Sequence, residues 1–137
     1  MKTFNSPDTE LQASLSDTFT FLSDFRNFQH VMPAELGGWE ADQDHCSFDA
    51  PMIGKVSLKY GRRETDSLIE ILPAEKLPID LNIHCHLFHS DGKPHARITL
   101  LSDLGAAQGF LFSRILQNLA DMMAKHLGDL RPGDMGV

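Results

Sequence analysis

No apolar run in this chain approaches the roughly 20 residues that a bilayer-spanning helix needs, and no segment is a repeat or is dominated by glycine or proline. The first absence argues against a helical membrane span, the second against a collagen-like, linker-like or solenoid organisation. Cations are few. Against 19 Asp and Glu there are 12 Lys and Arg, for a formal net charge of −7. The cations are scattered, so neither a nucleic-acid backbone nor an anionic membrane surface is an expected partner. Cysteine is scarce as well: Cys46 and Cys85 lack metal-type spacing and read as buried free thiols in a reducing compartment. The first eight residues contain no apolar core of a signal peptide, and a cytoplasmic location is expected. A Gly-rich phosphate loop, a nucleophile elbow and a metalloprotease motif are all missing.

What is present is a globular pattern. A length of 137 residues, 42% of them hydrophobic, suits one domain with an ordinary core. That domain is expected over residues 1–130, with a flexible tail at 131–137. Residues 3–12 suit an opening strand, kept to an edge or bulged by Pro7. A first helix follows, capped by Ser14 or Ser16, with Asp17 near its N-terminus and Leu15, Phe19, Leu22 and Phe25 at helical spacing. After a bend near Ser23-Asp24, a second short helix is expected over residues 25–32, stopped by Pro33.

Six alternating segments come next, after a turn at Gly37-Gly38. Trp39 and Ala41 oppose Glu40 and Asp42; Cys46 and Phe48 oppose His45, Ser47 and Asp49. Over residues 53–61, Val56, Leu58 and Tyr60 oppose Lys55, Ser57 and Lys59; then Ile69 and Ile71 flank Glu70. In the fifth segment Ile79, Leu81, Ile83, Cys85 and Leu87 alternate with Asp80, Asn82, His84, His86 and Phe88. In the sixth, Ala96, Ile98 and Leu100 alternate with His95, Arg97 and Thr99. Period-two patterning of this kind describes an antiparallel sheet with one dry and one wet face. Asp91-Gly92 is a strong hairpin turn, and Pro73 and Pro78 bracket another connection.

Residues 106–127 read as one long amphipathic helix. Its apolar stripe is Leu111, Phe112, Ile115, Leu116, Leu119, Met122, Met123 and Leu127, opposite Arg114, Gln117, Asn118, Asp121 and Lys125. Gly128 is placed to cap its C-terminus. About 22 residues at 1.5 Å each span roughly 33 Å, enough to traverse a curved sheet.

A strand, two short helices, six antiparallel strands and a long terminal helix form the helix-grip order. The chain resembles the START-like superfamily, also called SRPBCC, which holds polyketide cyclases, aromatases and the birch-pollen-allergen group. The resemblance rests on Phe21-Leu22-Ser23-Asp24-Phe25-Arg26-Asn27-Phe28 with Met32-Pro33 after it, on Trp39, on the Cys46 to Phe48 segment and on the terminal helix. It covers nearly the whole chain, through patterns of apolar positions rather than invariant catalytic residues. It implies an α+β fold in which a curved antiparallel sheet of about seven strands wraps around the C-terminal helix and leaves an apolar cavity. Members of the superfamily include enzymes and pure binders, so the fold alone does not choose between them.

The chemistry-bearing residues are each weighed against a plain structural role. His84, His86 and His89 invite a metal-site reading, but alternation turns His84 and His86 to the wet face and no carboxylate or Cys spacing supports them. Tyr60, on the inner face, suits a ligand's oxygen or a backbone partner equally well. Cys85 as a nucleophile needs a base to lower its pKa, and the inner face offers none. Asp24 and Asn27 suit backbone capping at the bend better than a pocket mouth. Asp42 and Asp44 read as solvated turn residues, and Arg62-Arg63-Glu64 as a charged hairpin tip. Met32, Met122 and Met123 suit either core or adaptable cavity walls.

The leading expectation is a binder of a hydrophobic small molecule, lipid or polyketide-like, without metal or cofactor. Its cavity is expected to be lined by Trp39, Phe48, Val56, Leu58, Tyr60, Ile69, Ile71, Leu81, Ile83, Cys85, Ile98, Leu100, Phe112, Leu116, Leu119 and Met123. The alternatives are a cyclase- or aromatase-like enzyme using Tyr60, and a cavity-free domain, filled by Phe110, Phe112, Trp39 and Phe48, that acts through its surface or as a homodimer.

Overall fold

The computed structural model describes residues 2–51, 53–77 and 80–136, and of residues 106–108 and 110 the backbone alone. Pro78 and Ile79, expected before and within the fifth segment, and the Phe110 side chain lie outside the described residues. The architecture is α+β. Its strands are β1 (Lys2–Asn5), β2 (Thr9–Glu10), β3 (Gly37–Ala41), β4 (His45–Ala50), β5 (Gly54–Glu64), β6 (Leu68–Pro73), β7 (Asn82–Ser90) and β8 (Lys93–Ser102). The helices are α1 (Leu15–Leu22), α2 (Phe25–Phe28) and α3 (Ala106–Asp129). A 3-10 turn, Pro132–Met135, ends the described chain. Among the described residues the strands form one eight-stranded antiparallel sheet in the order β1-β8-β7-β6-β5-β4-β3, with β2 also on β8, and no helix is long and apolar enough to cross a membrane.

The opening strand is divided, and the division follows from Pro7. Proline has no N–H for the ladder, so β1 stops before it and β2 resumes after it, both paired with β8. Ser6 bridges the gap: its N–H donates to the Ile98 carbonyl at 2.8 Å, and its Oγ accepts from the Ile98 N–H at 2.9 Å. At the other end of β8, Asp91 and Gly92 have φ of 54° and 75°, the signature of a two-residue I′ turn between Ser90 and Lys93.

Alternation holds across the sheet, with local corrections. The strand expected over residues 53–61 runs on to Glu64, because a bulge between Tyr60 and Arg63 lets it continue. The Glu70 carboxylate accepts the freed Arg62 N–H at 3.0 Å. The fifth segment is shorter than its pattern: β7 starts at Asn82 and leaves Leu81 in the preceding connection.

Ser14 is the helix cap, accepting from the Asp17 N–H at 3.0 Å. The buried face of α1 is Thr18, Phe21 and Leu22, with Phe19 and Leu15 only half-buried. The expected face is thus rotated toward Phe21, because α1 must cover β6 and β7. The α2 helix is one turn, Phe25–Phe28, rather than two. Past it the chain turns with Val31 and Met32 still buried.

Helix α3 shows the largest departures from its pattern. Leu111, expected on the apolar stripe, is 53% exposed. Ala120 and Ala124, outside that stripe, are buried along with Phe112, Leu116, Met123 and Leu127. Small residues let the helix backbone come close to the sheet, and α3 packs on β8, β1 and β2. Gly128 is a contact residue inside the helix, not its cap. A Cβ there would lie 2.6 Å from Thr9 Cγ2 and 3.3 Å from the Glu10 carbonyl. Gly109 stands likewise against Lys2, and Gln117 Nε2 donates to the Asn5 carbonyl at 2.9 Å. These contacts rise together along both elements, so α3 runs alongside β1 and β2 in the same direction. The lengths match: eight residues of extended chain and 19 of helix each cover roughly 26–28 Å.

Candidate functional site: an apolar cavity between sheet and terminal helix

Because α3 leans on the β1–β2–β8 flank, the rest of the sheet's inner face needs other cover. Part of it comes from α1 on β6 and β7 and from α2 on β3 and β4. Phe21, Leu22, Phe25 and Phe28 fill that region and are buried. What remains open is a cavity of about 320 Å³, near the lower end of small-molecule sites. Its sheet wall is Phe48, Val56 and Leu58, extended by Ala50, Pro51 and Ile53 at the β4–β5 turn and by Leu81 and Ile83 at the start of β7. Its helix wall is Ile115, Leu116, Leu119 and Met122, at three- and four-residue steps. Its rim is Met32, Pro33, Glu35 and Leu36 from the connection before β3, and Asn118 from α3. A broader, more open depression beside Glu40, Asp42, His45 and Glu75 has mixed polar and apolar walls.

Phe48, Val56, Leu58, Leu81, Ile83, Leu116 and Leu119 are therefore the expected lining residues that meet the cavity. Trp39 stands behind it, stacked on Phe48 with ring centroids 5.4 Å apart. Ile69, Ile71, Cys85, Ile98, Leu100, Phe112 and Met123 lie in the continuous core instead, packed with the α1–α2 aromatics. Of the three methionines weighed as soft walls, Met32 and Met122 line the cavity and Met123 does not. Glu35, Leu36, Ala50, Pro51, Ile53, Ile115 and Asn118 escaped the sequence reading as lining residues. Ile115 carried a signal in its place on the helix stripe, and Ala50 in continuing the Cys46, Phe48 alternation to the end of β4; the others come from connections without periodicity or from the polar side of the helix.

Tyr60 is outside the cavity. Its hydroxyl donates to the Leu22 carbonyl at 2.5 Å, and its ring stacks on Phe25 at 4.1 Å. Burial raises its pKa, so the phenol is a poor proton donor to any substrate. Arg63, expected at a solvated tip, lies over the Tyr60 ring at 4.4 Å and donates to the Ser23 carbonyl at 3.3 Å. Asp24 caps α2 through the Arg26 N–H at 2.9 Å, and Asn27 Nδ2 donates to the Phe21 carbonyl at 3.0 Å. Asp42 Oδ1 accepts the Asp44 and His45 N–H groups, both at 2.8 Å. All three polar residues thus hold backbone. Burial pushes both Cys46 and Cys85 thiols up to about 12, which leaves them inert as nucleophiles.

On the sheet's outer face His84 meets a carboxylate that the spacing did not reveal. Glu70, its cross-strand partner, lies 3.1 Å from Nε2. His86 has its pKa lowered, first by burial and then by Arg97 and His84. Among the described residues no three His, Cys, Asp or Glu side chains converge as metal ligands would. The rim is tied to α3 by His126, whose Nδ1 lies 2.9 Å from the Val31 carbonyl.

No protein-family model and no curated protein matches this chain. Solved structures do match in fold. KanY (ms6282) has a TM-score of 0.72 at 12% identity, over 93% of this chain and 94% of its own. Norcoclaurine synthase from Thalictrum flavum has a TM-score of 0.67 at 12% identity, over 95% of each chain. The di-domain ARO/CYC StfQ of the steffimycin biosynthetic pathway has a TM-score of 0.68 at 12% identity, over 98% of this chain and 52% of its own. Taken with the strand order, the paired short helices and the terminal helix laid over the sheet, these superpositions identify the fold of this chain as the START-like (SRPBCC) helix grip.

Proposed function

We propose that this chain binds a small hydrophobic molecule in the cavity between β4–β5, the start of β7 and α3. The observation that carries the reading is the cavity itself: about 320 Å³ with almost entirely apolar walls, built by a fold that elsewhere closes its core. A water's share of liquid volume is about 30 Å³, so the space corresponds to roughly ten non-hydrogen atoms of guest. Burying that guest's apolar surface contributes roughly 25 cal/mol per Å² before ordering costs. A short lipid-like chain or a one- or two-ring compound fits that size; a long polyketide chain does not. Met32 and Met122 supply adaptable contact.

A cyclase- or aromatase-like reaction has less support here. Tyr60, its one candidate proton carrier, is committed to the Leu22 carbonyl and does not reach the cavity.

Native mass spectrometry of mildly purified protein tests the reading, together with titration by an apolar fluorescent probe. A bound mass or saturable probe binding is expected, and Ala50→Phe, which places a ring in the cavity, abolishes it. Probe binding unchanged in both Ala50→Phe and Leu119→Trp overturns the reading.

A further inference from the structure

Resting on that reading, we propose that the guest is an amine: a compact apolar chain or ring whose protonated amino head sits at the rim against Glu35. The described lining contains one ionisable side chain, Glu35, and one other polar side chain, Asn118. Both are exposed, Glu35 on the connection before β3 and Asn118 on α3, while the other lining residues are apolar. The geometry therefore orients an amphiphile with its body inward and its head at the rim.

The head's charge follows from what the rim offers. A carboxylate head needs a cation or several N–H donors; here it would face the Glu35 carboxylate. An ammonium head finds the Glu35 carboxylate, an acceptor for its N–H groups. Of the cations on α3, Arg114 stands one helical turn before Asn118 and Lys125 two turns after it, and neither lines the cavity; Lys55 projects from the opposite face of β5 to Val56. His126 is turned to the Val31 carbonyl. The chain's overall charge of −7 favours the same sign of guest at a distance.

Three probes of equal length test this on the full chain at neutral pH and physiological salt, by competition with the fluorescent probe: decylammonium, 1-decanol and decanoate. Decylammonium is expected tightest and decanoate weakest, separated by roughly tenfold, the scale of an exposed charge pair gained against one opposed. Glu35→Lys is expected to reverse the order. Glu64→Lys, at the far end of β5 and outside the cavity, changes the net charge equally and is expected to keep it. Decanoate or decanol binding as tightly as decylammonium overturns the proposal. So does an order that ignores Glu35→Lys or responds equally to Glu64→Lys. Failure of all three probes to compete instead overturns the cavity reading on which it rests.

Discussion

The Tyr60 hydroxyl and the Leu22 carbonyl form a 2.5 Å hydrogen bond that ties the middle of β5 to the end of α1. Phe25 completes the tie by stacking on the Tyr60 ring at 4.1 Å. This joint closes the part of the sheet that the cavity does not use.

Tyr60→Phe removes the hydroxyl, keeps the ring and leaves a carbonyl without its partner. A loss of about 1 kcal/mol is expected, read from urea unfolding. Affinity for the apolar probe is expected to stay within twofold, since Tyr60 does not line the cavity. A large loss of affinity with stability intact would return Tyr60 to the site.

The thiols supply a second test. Cys46 and Cys85 are buried, with pKa values raised from 9.0 to about 12. They lie on β4 and β7, three strands apart at about 4.8 Å each, too far for a disulfide. Neither is expected to react with a thiol reagent at pH 8 until urea unfolds the chain. The linkage has a definite sign: the fold holds these protons where the unfolded chain releases them. Stability is therefore whole below pH 9.0 and is lost as pH rises from there toward about 12. Fast labelling of the native chain would contradict this.

Asp24 sets an acid-side dependence. Its carboxyl is held below 3.8, first by the Arg26 side chain, which outweighs the opposing effect of burial, with the Arg26 N–H adding to the lowering. A lowered pKa stabilises the fold above the unfolded value, and the effect is lost as pH falls through the folded value. Arg26 is largely exposed, so the effect is small and screened by salt. Asp24→Asn keeps a capping oxygen, so unfolding midpoints of the variant and the parent should converge below pH 3.8. A gap that is the same at pH 3 and pH 7 would show that the charge is irrelevant.

Gly128 separates propensity from packing. Alanine is preferred to glycine inside a helix by about 1 kcal/mol, yet a Cβ here meets Thr9 Cγ2 at 2.6 Å and the Glu10 carbonyl at 3.3 Å. Gly128→Ala is expected to destabilise by about 1–3 kcal/mol, and adding Thr9→Ala to recover part of that. Stabilisation by Gly128→Ala alone would mean that α3 does not rest on β2.

The sheet was legible because period-two alternation is a local property. Val56 and Leu58 on one face, and Asp91-Gly92 between two such runs, need no knowledge of the rest of the molecule. The helix stripe was legible for Ile115, Leu116, Leu119 and Met122, and misleading at Leu111. Size drew attention to leucines, while closeness of approach was decided by Ala120, Ala124 and Gly128. The division of the inner face between cavity and core was not legible at all. Ile71 and Ile83 look alike in sequence, and they differ because Phe21, Phe25 and Phe28 arrive from far along the chain to cover one part of the sheet and not the other. Glu35, Pro51 and Ile53 come from connections, where no repeat marks a wall.

The docking of α3 along β1, β2 and β8 has a last consequence. The contacts that fasten the helix and the side chains that shape the opposite wall belong to different strands, so they can vary separately. Exchanges at Phe48, Ala50, Ile53 or Val56 would resize the chamber without loosening its lid. A lineage with this layout can change the shape of that chamber by small steps while its framework stays put.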